Sequence, residues 1–96
     1  MTIVFRKAAE ADLADAIGYY QAIDDALATR FQRELEIVID RIVTFPASCQ
    51  VVHRDVRRAL LKRFPHAVFY KAMGDQVVVV AILHPARDPA RSKARS

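Results

Sequence analysis

"MGDQVVVVAILH", Met73 to His84, is the stretch whose reading decides the fold. The apolar run Val77–Leu83 is far too short to cross a bilayer, and its consecutive valines are β-branched, which favours a strand. Apolar and polar residues do not alternate along it. Such a strand belongs inside a sheet with both faces covered, or nearly so. Directly before it, Gly74-Asp75 offers a two-residue hairpin with glycine first, as a type II′ turn prefers, so Ala67–Met73 is expected to be its antiparallel partner. A third β segment, Val56 to about Phe64, precedes that pair.

Working outward toward the N-terminus, "PASCQVVHRD", Pro46–Asp55, carries no sustained period and reads as an exposed loop. Before it the period changes to that of a helix. Leu27, Phe31, Leu35, Val38, Ile42 and Phe45 recur at three- and four-residue steps, with Asp24-Asp25 as a cap and Pro46 as a stop. Ala9, Leu13, Ala16, Ile17 and Tyr20 form the stripe of an earlier helix, while Glu10, Asp12 and Asp15 fall off that stripe, near the end where the helix dipole favours acids. The connection is so short that the two helices must fold back on each other. "TIVF" at the start reads as a short strand. The order is β-α-α-β-β-β: an α+β fold in which an N-terminal helical hairpin packs on a mainly antiparallel sheet.

At 96 residues the chain has room for one hydrophobic core and one domain, residues 1–96. The tail from about residue 85, "PARDPARSKARS", is proline- and arginine-rich and is expected to be mobile and basic. No leader or apolar span opens the chain, so a soluble, cytoplasmic protein without membrane association is expected. The single cysteine, Cys49, has no internal disulfide partner and reads as an inert small residue.

Charge is unevenly distributed. Residues 1–53 carry five Lys+Arg against eight Asp+Glu, a net −3, whereas residues 54–96 carry ten against three, a net +7. Arg54, Arg57, Arg58, Lys62 and Arg63 cluster around the third-last strand, with Lys71 opposite and Arg87 and Arg91 after the last one. Cations on an edge strand can simply block aggregation. They can also form a surface for phosphates or carboxylates, which the three acids of this half are too few to neutralise.

His84 ends the apolar strand and is a candidate general acid or base, or else a hydrogen-bonding residue that terminates the strand. Tyr70 is a packing residue or a surface that stacks a base. His53 and His66 have no ligand-like spacing to an acid or to Cys49, so no metal is expected. Glycine-rich phosphate loops, Gly-x-Ser-x-Gly, Cys-x-x-Cys and His-Glu-x-x-His motifs are all missing, and no cofactor is expected.

Four stretches in this order and spacing, "AEADLADAIGYY", "FQRELEIVIDRIVTFP", "RRALLKRFPHAVFY" and "VVVVAILHPARDP", resemble the RelE/ParE superfamily of bacterial toxins over nearly the whole chain. The resemblance implies a cytoplasmic toxin of a type II toxin–antitoxin module, of the ParE-like plasmid-stabilisation kind. It also implies a cognate antitoxin whose acidic, amphipathic C-terminal segment folds onto the toxin, with operator DNA contacted only through that antitoxin. RelE-like members cut mRNA on the ribosome; here that activity would fall to Arg57, Arg63, His84 and Arg87. ParE-like members poison DNA gyrase. The chain has no tyrosine after Tyr70 and no glutamate after Glu36, which leaves the nuclease short of proton-transfer groups and favours the gyrase-directed reading. The binding residues this implies are Arg54, Arg57, Arg58, Lys62, Arg63, Tyr70, Lys71, Arg87 and Arg91.

Overall fold

The computed structural model describes residues 1–84. Arg87, Arg91 and the expected mobile tail lie outside the described residues. In chain order the elements are β1 (Thr2–Phe5), α1 (Lys7–Ile23), α2 (Asp25–Thr44), β2 (Gln50–His53), β3 (Val56–Leu60), β4 (Ala67–Met73) and β5 (Gln76–Leu83). The strands form one sheet in the order β1-β5-β4-β3-β2. Neighbours are antiparallel except β1 and β5, which run parallel. The chain is therefore α+β, as the sequence pattern predicts. Among the described residues no helix is long and apolar enough to cross a membrane.

One residue separates the helices. Asp24 sits in an extended conformation (φ −169°, ψ 128°), its backbone N–H closing α1 on the Tyr20 carbonyl at 2.9 Å. Its carboxylate accepts the Ala26 N–H at 3.0 Å and so caps α2. A single Asp thus ends one helix and starts the next, and the hairpin follows from it. At the far end, Pro46 keeps Phe45 out of the helical region (φ −132°, ψ 70°), and α2 closes with the Phe45 N–H on the Arg41 carbonyl at 2.8 Å.

Phe31, Leu35, Val38 and Ile42 of α2 are buried against the sheet, but Phe45, read as the last residue of that stripe, is 63% exposed. The helical period does not extend past its own end, so Phe45 is aimed elsewhere. On α1 the stripe also needs correction, because Asp12, placed off it by sequence, is buried with Ala9, Ala16 and Tyr20. Its partner is on β5. Phe69 pairs with Ala81 while Tyr70 pairs with Val79, leaving Val80 as a bulge, and just beyond the bulge the Ile82 N–H donates to the Asp12 carboxylate at 3.1 Å. A bulge disrupts the ladder locally, and the helix supplies an acceptor for the amide there.

Register assigns the faces. Ile3, Phe5, Val77, Val79, Ile82, Val68, Tyr70 and Ala59 join the helices in the main core, and a second apolar cluster, Val56, Ala67, Phe69, Val78, Val80, Ala81 and Leu83, occupies the other face. Both faces of β5 are buried, as its unbroken apolar run requires.

Two sequence expectations fail here. Residues 46–55 are not all loop, since Gln50–His53 pair with β3 as an edge strand. All four are exposed, so no burial alternation marks them. The strand that follows does not reach Phe64. It ends at Leu60, and Lys62–Pro65 turn away before β4, with the Leu61 N–H closing the turn on the His66 carbonyl at 3.1 Å. Proline lacks the N–H a ladder requires.

The Gly74-Asp75 turn forms as read, with Gly74 at φ +63°. The β2–β3 turn, Arg54-Asp55, is less well matched to its residues, because Arg54 lies at φ +52°. A side chain there is strained. Arg54→Gly is expected to raise stability by about 0.5–1 kcal/mol, the relief of strain outweighing the extra unfolded-state freedom. Urea unfolding checks this, and a lower midpoint would contradict it.

Candidate interaction surface

The cationic residues of the C-terminal half do not gather into one patch. Arg58 and Lys71 lie on the face away from the helices, beside Phe69 and Val78 in the register, whereas Arg57 is on the helix face opposite Tyr70. Arg54 occupies the β2–β3 turn; Lys62 and Arg63 lie past the other end of β3. The Arg63 backbone N–H donates to the Glu34 carboxylate, which ties that loop to α2.

Arg57 and Tyr70 act on the fold itself. The Arg57 guanidinium donates to the carbonyls of Cys49 at 2.6 Å and Ala47 at 3.3 Å, and the Tyr70 hydroxyl donates to the Pro46 carbonyl at 2.8 Å. Together these cross-strand neighbours hold the α2–β2 connection against the sheet. Strand pairing brings them together, and no local spacing announces it.

Burial, then the hydrogen bond and proximity of Cys49, push the Tyr70 phenol well above its usual value, against a smaller opposite pull from Arg57. A phenol raised in the folded state contributes stability that is complete below its unfolded pKa of about 10 and is lost as pH rises beyond it. Tyr70→Phe is accordingly expected to lower stability by about 0.5–1.5 kcal/mol at neutral pH. The gap should close above about pH 10, where only the wild type has this group to ionise. A gap that widens with alkali would contradict the assignment.

His66, between β3 and β4, is buried. Its Nδ1 lies 3.3 Å from the Tyr20 hydroxyl, and its ring packs edge-on against Tyr20, Phe31 and His84. Phe64 completes this aromatic cluster, 5.1 Å from Tyr20 and 5.3 Å from Phe31. His84 is half-buried at the end of β5, its ring 5.7 Å from that of His66. Among the described residues no three His, Cys, Asp or Glu side chains are placed to hold a metal ion.

Sequence reading missed Phe45 and the β2 edge as surface features. Phe45 is 63% exposed, and Val51 and Val52 are 44% and 37% exposed. The available signals were Pro46, which forces Phe45 out of α2, and the β-branched pair itself.

The family model for the ParE toxin of the type II toxin–antitoxin system parDE matches residues 3–89. The chain belongs to the ParE toxin family. No curated protein matches it. A solved structure described as a chromosomal ParDE TA system from P. aeruginosa is similar, with a TM-score of 0.74 at 17% identity over 85% of this chain and 92% of that one. At that identity the likeness is one of fold, and it bears out the arrangement described for this ParE-family chain.

Proposed function

We propose that this ParE-family toxin acts in the cytoplasm by trapping DNA gyrase, and that the acidic, amphipathic C-terminal segment of a cognate antitoxin neutralises it. Operator DNA is contacted only through that antitoxin; among the described residues the two helices pack as a hairpin on the sheet, and neither is presented for reading bases. The cations Arg54, Arg58, Lys62, Arg63 and Lys71, with Arg87 and Arg91 beyond the described residues, supply the charge for partner and target.

The observation that carries the choice of target is that groups an RNA-cleaving site would use are committed to the fold. Arg57 is bound to two backbone carbonyls, Tyr70 donates to a third, and His66 is buried against Tyr20. Cleavage through a ribose 2′-hydroxyl needs one group to take a proton and another to return one to the leaving oxygen. His84 and the exposed His53 are the remaining imidazoles, and they lie three strands apart, about 14 Å laterally, and at opposite ends of the sheet, since His53 pairs with Val56 at the start of β3 whereas Leu83, just before His84, is level with Leu60 at its end. An inhibitor that binds gyrase needs no such pair.

Induction of the chain without its antitoxin is expected to arrest growth with accumulating DNA breaks and intact transcripts, and His84→Gln is expected to remain toxic. Cleaved messenger RNA with undamaged DNA, abolished by His84→Gln, would replace this reading with that of a ribosome-dependent nuclease.

A further inference from the structure

The sheet has two faces, and the described helices cover one of them. α1 and α2 join the core that holds Val68, Tyr70, Val77 and Val79, whereas every member of the second apolar cluster belongs, among the described residues, to the sheet itself. A sheet face with no layer over it is normally solvated and polar. This one is neither. Within the single chain Ala67 is 0%, Phe69 6%, Val80 2% and Leu83 2% exposed.

The limits of that burial outline the cover. Val4 pairs with Val78 and so shares this face, yet it is 37% exposed; Leu60, paired with Ala67, is 59% exposed. Gln50, paired with Arg58 on the same face, is exposed as well. The covered area is centred on β4 and β5, while the margins on β1, β2 and the end of β3 reach solvent. Two strand spacings measure about 10 Å, the width of one polypeptide segment with its side chains.

Residues 85–96 leave the end of β5 directly. Twelve residues extend to about 40 Å, and the eight of β5 span about 27 Å, so this segment is long enough to return along the whole strand. Pro85 lacks the N–H that would continue the ladder, which lets the chain leave the plane of the sheet. In an extended chain Ala86, Asp88 and Ala90 fall on one side and Arg87 and Arg91 on the other. Two alanines allow close approach to a valine-rich face. Asp88 brings an acid to a face that bears the half-buried cations Arg58 and Lys71, whose cross-strand neighbours Phe69, Gln50 and Val78 carry no charge.

We propose that residues 85–96 double back over the middle of this face as a strap, with Ala86, Asp88 and Ala90 inward and Arg87 and Arg91 outward. Arg87 and Arg91 then share a face with Arg58 and Lys71, which gathers into one surface charge that residues 1–84 leave divided. The strap rests on burial and topology, and it holds whichever target the toxin has.

Thiol alkylation of the folded, full-length chain tests it, with one cysteine introduced at a time and peptide mapping to read it apart from Cys49. Each rate with iodoacetamide is taken relative to the same variant unfolded in urea. On that scale Arg91→Cys is expected to react at least about tenfold faster than Ala90→Cys. A second pair of variants asks which surface the strap covers. Ala86→Arg combined with Ala90→Arg puts bulk and charge on the inner side and is expected to raise the fluorescence of an added anilinonaphthalene sulfonate dye at least about threefold, as the apolar face opens. Arg87→Ala combined with Arg91→Ala should leave the dye signal unchanged. Circular dichroism confirms that all four proteins fold. Equal reactivity at positions 90 and 91, or no dye response to the paired arginines, would overturn the strap. Protection of position 90 that vanishes on dilution, together with a dimer in size-exclusion chromatography, would put a second copy on the face and overturn it too.

Discussion

Phe31→Ala is expected to destabilise the protein by about 3–5 kcal/mol, a large share of the total for a domain of this size. Phe31 is fully buried, and its ring contacts Tyr20 at 5.1 Å, Phe64 at 5.3 Å and His66 at 5.2 Å between centroids. Those partners come from α1 and from the loop between β3 and β4, so one side chain joins three parts of the chain. Its removal leaves a void that rings on three sides, two edge-on and one tilted, can fill only by giving up their present packing. Phe31→Leu keeps most of the volume and should cost less, about 1.5 kcal/mol or below. Urea unfolding of the three proteins gives the comparison, and an alanine variant with the wild-type midpoint would show that the cluster does not hold the hairpin to the sheet.

Asp12→Ala is the second large effect, expected at about 1–3 kcal/mol, because it strips the acceptor from a buried Ile82 N–H that cannot reach water. Asp12→Asn keeps an acceptor oxygen and should recover part of the loss. Local exchange gives the sharper readout. The Ile82 amide should lose protection in the alanine variant before the rest of β5 does, since its acceptor is the group removed. Uniform protection along β5 in Asp12→Ala would mean that the bulge is satisfied in some other way.

Asp24, the α2 stripe from Phe31 to Ile42 and the Gly74-Asp75 turn were all legible in the sequence because each is local. A cap, a helical period and a positive φ at glycine act over a few residues, and the sequence pattern records them directly. Asp12 was not legible in the same way, as its partner is a backbone amide seventy residues away, exposed to it by a bulge that no residue type specifies. Residues 50–53 were hidden by their exposure, because a strand with no buried face has no period to read. Lys62 and Arg63 were assigned to a strand because their neighbours are apolar, whereas Pro65 ends the ladder before it reaches them. For the site, the cationic excess was visible in the composition, and strand alternation puts Arg57 and Arg58 on opposite faces as found; what was not visible is that Lys62 and Arg63 lie past the end of β3 and share neither face. In sequence Arg57 looks like surface chemistry, and Tyr70 like a packing residue or a stacking surface. Their hydrogen bonds to Pro46, Ala47 and Cys49 appear only when β3 pairs with β4 and the connection from α2 folds across them.

The measurement that tests the central claim most directly is a cleavage assay with purified gyrase, supercoiled DNA and the purified toxin. Linear DNA is expected to accumulate with added toxin once the protein is denatured and digested, and antitoxin added beforehand is expected to prevent it. Gyrase that supercoils normally at saturating toxin, while ribosome-bound messenger RNA is cut by the same preparation, would contradict it.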